Sequence, residues 1–249
     1  MSGHSKWHTI KHKKGAADAK RGKIFTRLIK ELTVASRNGG GDPGMNPRLR
    51  TIIAAAKEVN MPADNIKKAI MRGTGELPGI IYDEITYEAY GPGGVAIMIE
   101  TLTDNKNRTV GELRHMLEKH SGNLGSANSV AWMFTKKGHI VVDKAKADEE
   151  KLLSVALEAG ADDMQDDGTA WEVLSEPTAF EAVRDAVKGL GIEPDSAQVA
   201  MLPQNYVTLT GKDANQMIRL MDALDDHEDV KQVWSNFDIE EKEIEASLA

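Results

Sequence analysis

Residues 84–102, EITYEAYGPGGVAIMIETL, contain two runs rich in Ile, Val, Tyr and Thr that flank the tetrapeptide GPGG at 91–94. Aromatic and β-branched residues favour extended backbone, whereas Gly and Pro favour a tight turn. The stretch therefore predicts a β-hairpin formed by residues 84–90 and 95–102. GPGG is interpreted as a turn and not as a phosphate-binding loop, because no helix and no Lys-Ser or Lys-Thr pair follows it.

The sequence after this hairpin alternates between helical and extended patterns. Helices are predicted at 110–120, 148–159, 178–190 and 214–224, and strands at 130–134, 139–143, 169–174, 198–202, 206–210 and 230–237. The acidic run DDMQDDG at 162–168 is interpreted as an exposed turn, since a calcium loop would need Glu where Leu174 stands. Interleaved strands and helices with hairpins predict an α+β fold, with helices on one face of mainly antiparallel sheets.

Three amphipathic patterns precede the hairpin and predict a small N-terminal bundle. The second helix is predicted to begin at Asn46-Pro47, an N-cap followed by proline in the first turn, and the third runs from Pro62 to Gly73. The first spans 16–37 and places five apolar side chains on one face: Ile24, Phe25, Leu28, Ile29 and Leu32.

Charge is distributed unevenly along the 249 residues. Residues 1–75 contain 16 Lys and Arg and 5 Asp and Glu, a net charge of +11, whereas residues 76–249 contain 15 and 34, a net charge of −19. A polyanion would be attracted to the first segment and repelled by the rest. The sequence has no cysteine and no apolar run of membrane-spanning length, which argues against disulfides and a membrane partner and is typical of a cytoplasmic protein.

The basic N-terminal segment is the clearest functional pattern. Residues 2–15 are interpreted as a flexible arm, and the following helix carries cations on the face nearly opposite its apolar side. Lys and Arg neutralise phosphates, and a Trp among them can stack on an unpaired base. The predicted nucleic-acid contacts are Lys6, Trp7, His8, Lys11, His12, Lys13, Lys14, Lys20, Arg21, Lys23, Arg27 and Lys30. The alternatives are a solvated charged face, a membrane surface, or docking of this segment onto the acidic remainder of the chain.

Two other segments have both a functional and a structural interpretation. The second and third helices could form a helix-turn-helix, but Asp64 stands in the first turn of the would-be recognition helix, so a packing role is favoured. In TDNKNRT at 103–109, Asp104 or Asn107 could cap the next helix. The alternative is a polar binding site made of Asp104, Asn105, Asn107 and Arg108. No nucleophile–base motif, metal site or cofactor motif is identified, so we expect no enzyme activity.

Several motifs occur in a fixed order along the chain: GHSKW at 3–7, GGGDP at 39–43, NMP at 60–62, YGPGG at 90–94, TDNKNRT at 103–109 and GNLG at 122–125. With these motifs the sequence resembles the YebC/PmpR family over essentially its full length. The resemblance implies a helical bundle over residues 1–80 followed by two α+β domains of ferredoxin-like type, the third inserted in the second. The second domain would span residues 83–135 plus 204–249, and the third domain would span residues 136–203.

The resemblance implies a protein that engages nucleic acid and leaves two hypotheses. In the first, it is a DNA-binding transcriptional regulator that uses the arm and first helix to grip phosphates. In the second, it is an RNA- or ribosome-binding translation factor, because organellar members resemble activators of translation and some bacterial members resemble factors that relieve stalled synthesis. The acidic α+β domains are candidates for contacting a protein partner, and the oligomeric state is left open.

Overall fold

The computed structural model describes residue 7, residues 17–240 and residues 242–244. The elements in this part of the chain are α1 Ala17–Gly39, α2 Pro47–Glu58, α3 Ala63–Thr74, β1 Asp83–Tyr90, β2 Ala96–Thr103, α4 Lys106–Lys119, β3 Asn123–Leu124, β4 Phe134–Asp143, α5 Glu149–Glu158, β5 Ala161–Asp166, β6 Ala170–Ser175, α6 Phe180–Gly189, β7 Ser196–Pro203, β8 Val207–Thr208, α7 Gly211–Asp226, β9 Val230–Ser235 and β10 Phe237–Asp238. None of the described helices combines the length and apolar character of a membrane span.

Helices α1, α2 and α3 form the N-terminal bundle that the sequence predicts. Asn46 is the N-cap of α2, where its side chain accepts a hydrogen bond from the backbone N–H of Leu49 at 3.0 Å, and Pro47 occupies the first turn. Pro62 precedes α3, and Gly75 ends it in the left-handed region at φ 83°. The predicted starts of α2 and α3 are therefore confirmed to within one residue.

Helices α2 and α3 both make their main packing contacts with α1. The buried core of the bundle consists of Leu32, Ala35, Leu49, Ile52, Ala56, Met61, Ile66 and Ala69. Ile24 was predicted on the buried face, but its side chain is exposed. The physical reason is length, since α1 has 23 residues, about 35 Å, and its two partners have 12 each, about 18 Å. Ile24 precedes Phe25, the first described side chain of α1 that packs against the bundle core.

The first sheet has the strand order β3-β1-β2-β9 and contains the predicted hairpin. Strands β1 and β2 pair antiparallel from Asp83 opposite Thr103 to Tyr90 opposite Ala96. Helices α4 and α7 cover one face, where Ile97 and Ile99 of β2 are buried in one cluster with Leu113, Leu117, Met217 and Leu220. Beside this sheet, the short strands β8 and β10 pair parallel to each other.

The second sheet has the strand order β5-β6-β4-β7, with antiparallel pairing between all neighbours. Helices α5 and α6 cover one face, where the buried residues include Ile140, Val142, Leu152, Val173 and Val183. All four strands come from residues 134–203, between β3 and β8 in the sequence. The α+β class with mainly antiparallel sheets is thus confirmed, while the division into domains at 83–135 plus 204–249 and 136–203 stays a prediction.

Two local expectations are wrong. The sequence predicts an exposed turn at 162–168, but Ala161–Asp166 is strand β5 at the edge of the second sheet. An edge strand tolerates acidic, exposed side chains, which explains why its sequence lacks a strand pattern. A strand was predicted at 130–134, but residues Ala131–Met133 form a short 3₁₀ turn, and β4 begins at Phe134.

Candidate nucleic-acid interface

Most of the predicted arm contacts lie outside the described residues. This holds for Lys6, His8, Lys11, His12, Lys13 and Lys14, and for the side chains of Lys20 and Arg21 at the start of α1. Their role in binding stays a prediction. Trp7, Lys23, Arg27 and Lys30 have described side chains and can be placed.

Trp7 is fully buried and does not lie in an open arm. Its indole ring is 0% exposed in the core of the first sheet, in a cluster that also contains Phe237, Ile239 and Ile244. A ring with no exposed surface cannot stack on a base. The expectation that Trp7 is a base-stacking residue is therefore contradicted by this position, and the ring instead packs in the core of the α+β part of the protein.

The cations of α1 lie on the acidic segment that joins α7 to β9. Lys23 Nζ lies 2.9 Å from Asp226 Oδ1, and Lys30 Nζ lies 2.8 Å from Asp229 Oδ1. Between them, Arg27 Nη2 donates to the backbone oxygen of Asp225 at 3.1 Å and lies 3.6 Å from its carboxylate. The sequence predicts that this face of α1 follows a phosphate backbone. In the structure its described cations contact carboxylates of the same chain, which corresponds to the alternative that the basic segment docks onto the acidic remainder.

Asp229 is the centre of this contact. It is 1% exposed, and its Oδ2 accepts hydrogen bonds from Arg108 Nη2 at 2.7 Å and Thr109 Oγ1 at 2.8 Å, while its Oδ1 accepts from Lys30. Burial opposes ionisation, but the hydrogen bonds from Lys30, Arg108 and Thr109 outweigh it and hold the pKa of Asp229 at about 2. A buried carboxylate that is ionised and fully hydrogen-bonded fixes α1, α4 and the 227–229 turn relative to one another.

The segment TDNKNRT supplies two of these partners, Arg108 and Thr109. Asn105 is the N-cap of α4 and accepts from the backbone N–H of Arg108 at 3.1 Å, so the expectation that Asp104 or Asn107 caps this helix is wrong. Arg108 bridges Asp104 and Asp229. The structure therefore brings Asp104, Asn105 and Arg108 together around a helix start, and a role of these residues in ligand binding stays a prediction.

Glu112, His227 and Asp229 place one ligand atom each within 4.8 Å of one another, a spacing that a metal site would also show. Here His227 Nδ1 accepts the backbone N–H of Asp229 at 3.1 Å, which assigns the proton to Nε2, and Nε2 donates to Glu112 at 2.9 Å. Asp229 already accepts from two cationic side chains. Because these donors would repel a metal ion, the arrangement is a hydrogen-bonded ion network and not a cation site.

Helices α2 and α3 present a second group of cations to solvent. Lys68 pairs with Asp64 at 2.7 Å within α3. Four other exposed cations of these helices have no carboxylate of the described residues within 4.0 Å: Arg50, Lys57, Lys67 and Arg72. Arg50 and Lys57 stand two turns apart on the same side of α2. These residues were not among the predicted contacts, because the sequence alone does not show which basic residues are paired inside the protein.

The acidic partner of α1 was also missed by the sequence reasoning. Residues 225–229 read DDHED, and the last turn of α7 contains no basic residue. Carboxylates at the C-terminal end of a helix face the negative end of its dipole and are locally unfavourable. That conflict could have indicated cationic side chains from elsewhere in the chain, but it does not identify α1 as their source.

The protein has an α+β fold with a cationic helical bundle and two antiparallel sheets. Ion pairs join α1 of the bundle to residues 225–229. Two family models match the chain, one described as the TACO1/YebC protein N-terminal domain over residues 5–76 and one as the TACO1/YebC second and third domain over residues 82–237. The chain therefore belongs to the TACO1/YebC family, which confirms the resemblance to the YebC/PmpR family.

Relatives from several bacteria carry names that describe regulators. A "Probable transcriptional regulatory protein" of Acidobacterium capsulatum is 63% identical over 243 residues and covers 98% of both chains. One of Koribacter versatilis is 60% identical over 245 residues with the same coverage. The crystal structure of a conserved hypothetical protein from Aquifex aeolicus, 43% identical, matches 90% of this chain and 93% of its own with a TM-score of 0.80. These names place the chain in a family of regulators and state no catalytic activity.

Proposed function

We propose that this protein is a DNA-binding transcriptional regulator whose N-terminal part grips phosphates through exposed cations. The observation that carries the proposal is the set of exposed cations on α2 and α3 that have no carboxylate partner among the described residues. They lie in a segment of net charge +11 attached to a remainder of net charge −19. Lys and Arg that meet phosphates release counterions and bind without sequence preference. The names of the relatives add support for transcription as the process.

The contact surface in this proposal differs from the one that the sequence suggested. Lys23, Arg27 and Lys30 are engaged by carboxylates, so the first phosphate contacts fall to Arg50, Lys57 and Lys67 and to the lysines of the arm. The acidic α+β part would then limit adhesion to unrelated polyanions by repulsion and leave its surface for a protein partner.

A second candidate function is an RNA- or ribosome-binding translation factor, and one observation favours it. In a helix-turn-helix, the N-terminal residues of the second helix contact base edges in the major groove. Here that position of α3 holds Asp64, which pairs with Lys68, and α2 and α3 pack mainly on α1. Sequence readout of duplex DNA by α3 is therefore disfavoured, whereas irregular RNA is recognised by shape and phosphate contacts.

The proposal is tested by binding of labelled duplex DNA, a structured RNA of equal length, and ribosomes at several salt concentrations. The informative variant combines Arg50→Gln, Lys57→Gln and Lys67→Gln. Its matched control combines Lys119→Gln, Lys212→Gln and Arg219→Gln, which removes the same charges from exposed positions on α4 and α7. We expect the bundle variant to bind about tenfold or more weakly than the control at equal salt. Equal affinity of the two variants for all three partners would refute the proposed surface.

A preference for particular promoter duplexes over scrambled DNA supports the regulator. Binding confined to RNA or ribosomes supports the second candidate.

A further inference from the structure

We propose that the acidic segment 225–229 is an intramolecular mimic of a phosphate backbone that closes the cationic face of α1. In this arrangement the protein has a second polyanion-binding surface, made by Lys23 and Arg27, that becomes available only when α1 separates from the end of α7. The inference rests on the proposed function, since it concerns the same class of ligand, and it adds an autoinhibitory contact to it.

The spacing of the pairs supports mimicry. Lys23, Arg27 and Lys30 follow one another at four and three residues on α1, which puts them in one row along the helix. Each meets a different acidic residue of a single five-residue segment, at Asp226, Asp225 and Asp229, respectively. A row of anions held against a row of cations is the arrangement that a nucleic-acid strand would offer.

The local cost of the acidic segment is a second argument. Asp225 and Asp226 occupy the last turn of α7, where the helix dipole disfavours anions, and no basic residue of that turn offsets them. The unfavourable interaction of these carboxylates with the helix dipole is offset by their ion pairs with Arg27 and Lys23 of α1. Without α1 in place, the carboxylates would lose this compensation, so the closed state is the more stable one in the absence of a polyanion.

The pairs become more exposed along the row, which indicates where the contact opens. Lys30 and Asp229 have side chains that are 10% and 1% exposed, Arg27 and Asp225 30% and 29%, and Lys23 and Asp226 55% and 63%. Exposed pairs are weakened by salt and exchange with solvent anions, whereas a buried pair with further hydrogen bonds persists. Lys30 is therefore the fixed end, and phosphates would displace the carboxylates of Asp226 and Asp225 first.

A second contact keeps the bundle attached during such opening. Arg48 at the start of α2 forms a two-pronged ion pair with Glu84 of β1, with N–O distances of 3.0 and 2.7 Å. Two-pronged pairs of this kind are among the stronger charged contacts. The ion pairs of Lys30 and Arg48 therefore hold the bundle in place. The ion pairs of Lys23 and Arg27 with residues 225–226 are the ones that separate.

The test uses the full chain with Asp225→Asn and Asp226→Asn combined, which removes the competing charges and preserves side-chain size. The control combines Glu149→Gln and Glu150→Gln, two exposed acids in the first turn of α5, and changes the net charge equally. The readout is the affinity for a labelled 20-base-pair duplex and for an RNA hairpin across a salt series, with circular dichroism to confirm folding. We expect the D225N/D226N variant to bind about tenfold more tightly than the control, with a salt slope on duplex DNA steeper by about two.

A cross-link provides the converse experiment. Because the chain has no cysteine, Lys23→Cys and Asp226→Cys create a unique pair that a short bis-maleimide can join. Lys23→Cys removes one cation of this surface, so Arg27 is the cation that the cross-link keeps covered. In the background of Asp225→Asn, we therefore expect the joined protein to bind duplex DNA less tightly than the same variant before joining. Equal binding by the joined and unjoined protein would overturn the inference.

The outcomes separate this inference from the function on which it rests. If the Arg50, Lys57 and Lys67 variant loses affinity but D225N/D226N equals its control, the closing role of 225–229 is wrong and the proposed function stands. If the wild-type chain and D225N/D226N both fail to bind DNA and RNA, both proposals are wrong.

Discussion

Lys30 and Asp229 stand 199 positions apart in the sequence, and their Nζ and Oδ1 atoms lie 2.8 Å apart where almost no solvent reaches. This pair connects the N-terminal bundle to the first sheet, and Arg108 completes it from the start of α4.

Replacing Asp229 should destabilise the fold more than replacing its exposed neighbour. Asp229→Ala leaves the Lys30 ammonium buried without its carboxylate, and removing one partner of a buried pair costs about 3–5 kcal/mol. Asp226→Ala breaks a pair with a 63% exposed carboxylate, which should cost less than about 1 kcal/mol. The measurement is the free energy of unfolding in urea at neutral pH. Equal losses for the two variants would contradict the assignment of Asp229 as the buried centre.

The stability contributed by Asp229 should disappear in acid. Its pKa is lowered from 3.8 to about 2 in the folded protein, so its contribution is fully present above pH 4 and is lost as the pH falls through 2. The free-energy gap between the wild type and Asp229→Asn should shrink by about 2 kcal/mol between pH 6 and pH 2. Because both proteins contain the same other carboxylates, the contribution of those groups to the pH dependence of the unfolding free energy cancels in this difference. A gap that is constant over this range would show that Asp229 titrates normally.

Trp7 should be essential for stability although it lies in the N-terminal segment. Trp7→Ala removes a fully buried indole ring and should lower the free energy of unfolding by about 3–5 kcal/mol. Trp132 offers a control of the same residue type, because its side chain is 64% exposed, and Trp132→Ala should cost less than about 1 kcal/mol. Thermal unfolding followed by circular dichroism distinguishes the two. An unchanged melting temperature for Trp7→Ala would mean that the ring does not occupy this core.

The bundle contains a close helix crossing that can be tested with two glycines. A Cβ atom at Gly73 of α3 would lie 2.3 Å from the backbone oxygen of Thr33 in α1, so Gly73→Ala must push the helices apart and should cost about 1–3 kcal/mol. Gly111 lies inside α4 with nothing within 4 Å of its Cβ position. Gly111→Ala should therefore stabilise the protein by up to about 1 kcal/mol. The free energy of unfolding, measured by chemical denaturation, should be lower than that of the wild type for Gly73→Ala and higher for Gly111→Ala.

Local patterns in the sequence predicted the elements whose causes are local. Asn46-Pro47 starts α2, GPGG separates β1 from β2, and both follow from the conformational preferences of these residues. Strand β5 was missed because its acidic sequence is stabilised by pairing with β6 and not by burial of its own side chains.

The site was predicted less well than the fold, because its charges are matched over long distances in the sequence. Periodicity showed that Lys23, Arg27 and Lys30 share a face of α1, but the carboxylates that occupy this face come after residue 224. A basic stripe that faces solvent and one that faces acidic residues have the same sequence pattern. Trp7 shows the same limit, since an aromatic residue between lysines suits a base and a protein core equally well.

The most direct test of the central claim, that the exposed cations of α2 and α3 hold phosphates, is the salt dependence of binding. The logarithm of the association constant for a duplex is measured against the logarithm of the salt concentration, for the wild type and for the variant with Arg50→Gln, Lys57→Gln and Lys67→Gln. If these three side chains meet phosphates, the slope should become shallower by about 2.7 in the variant. A slope identical to that of the wild type would contradict the account.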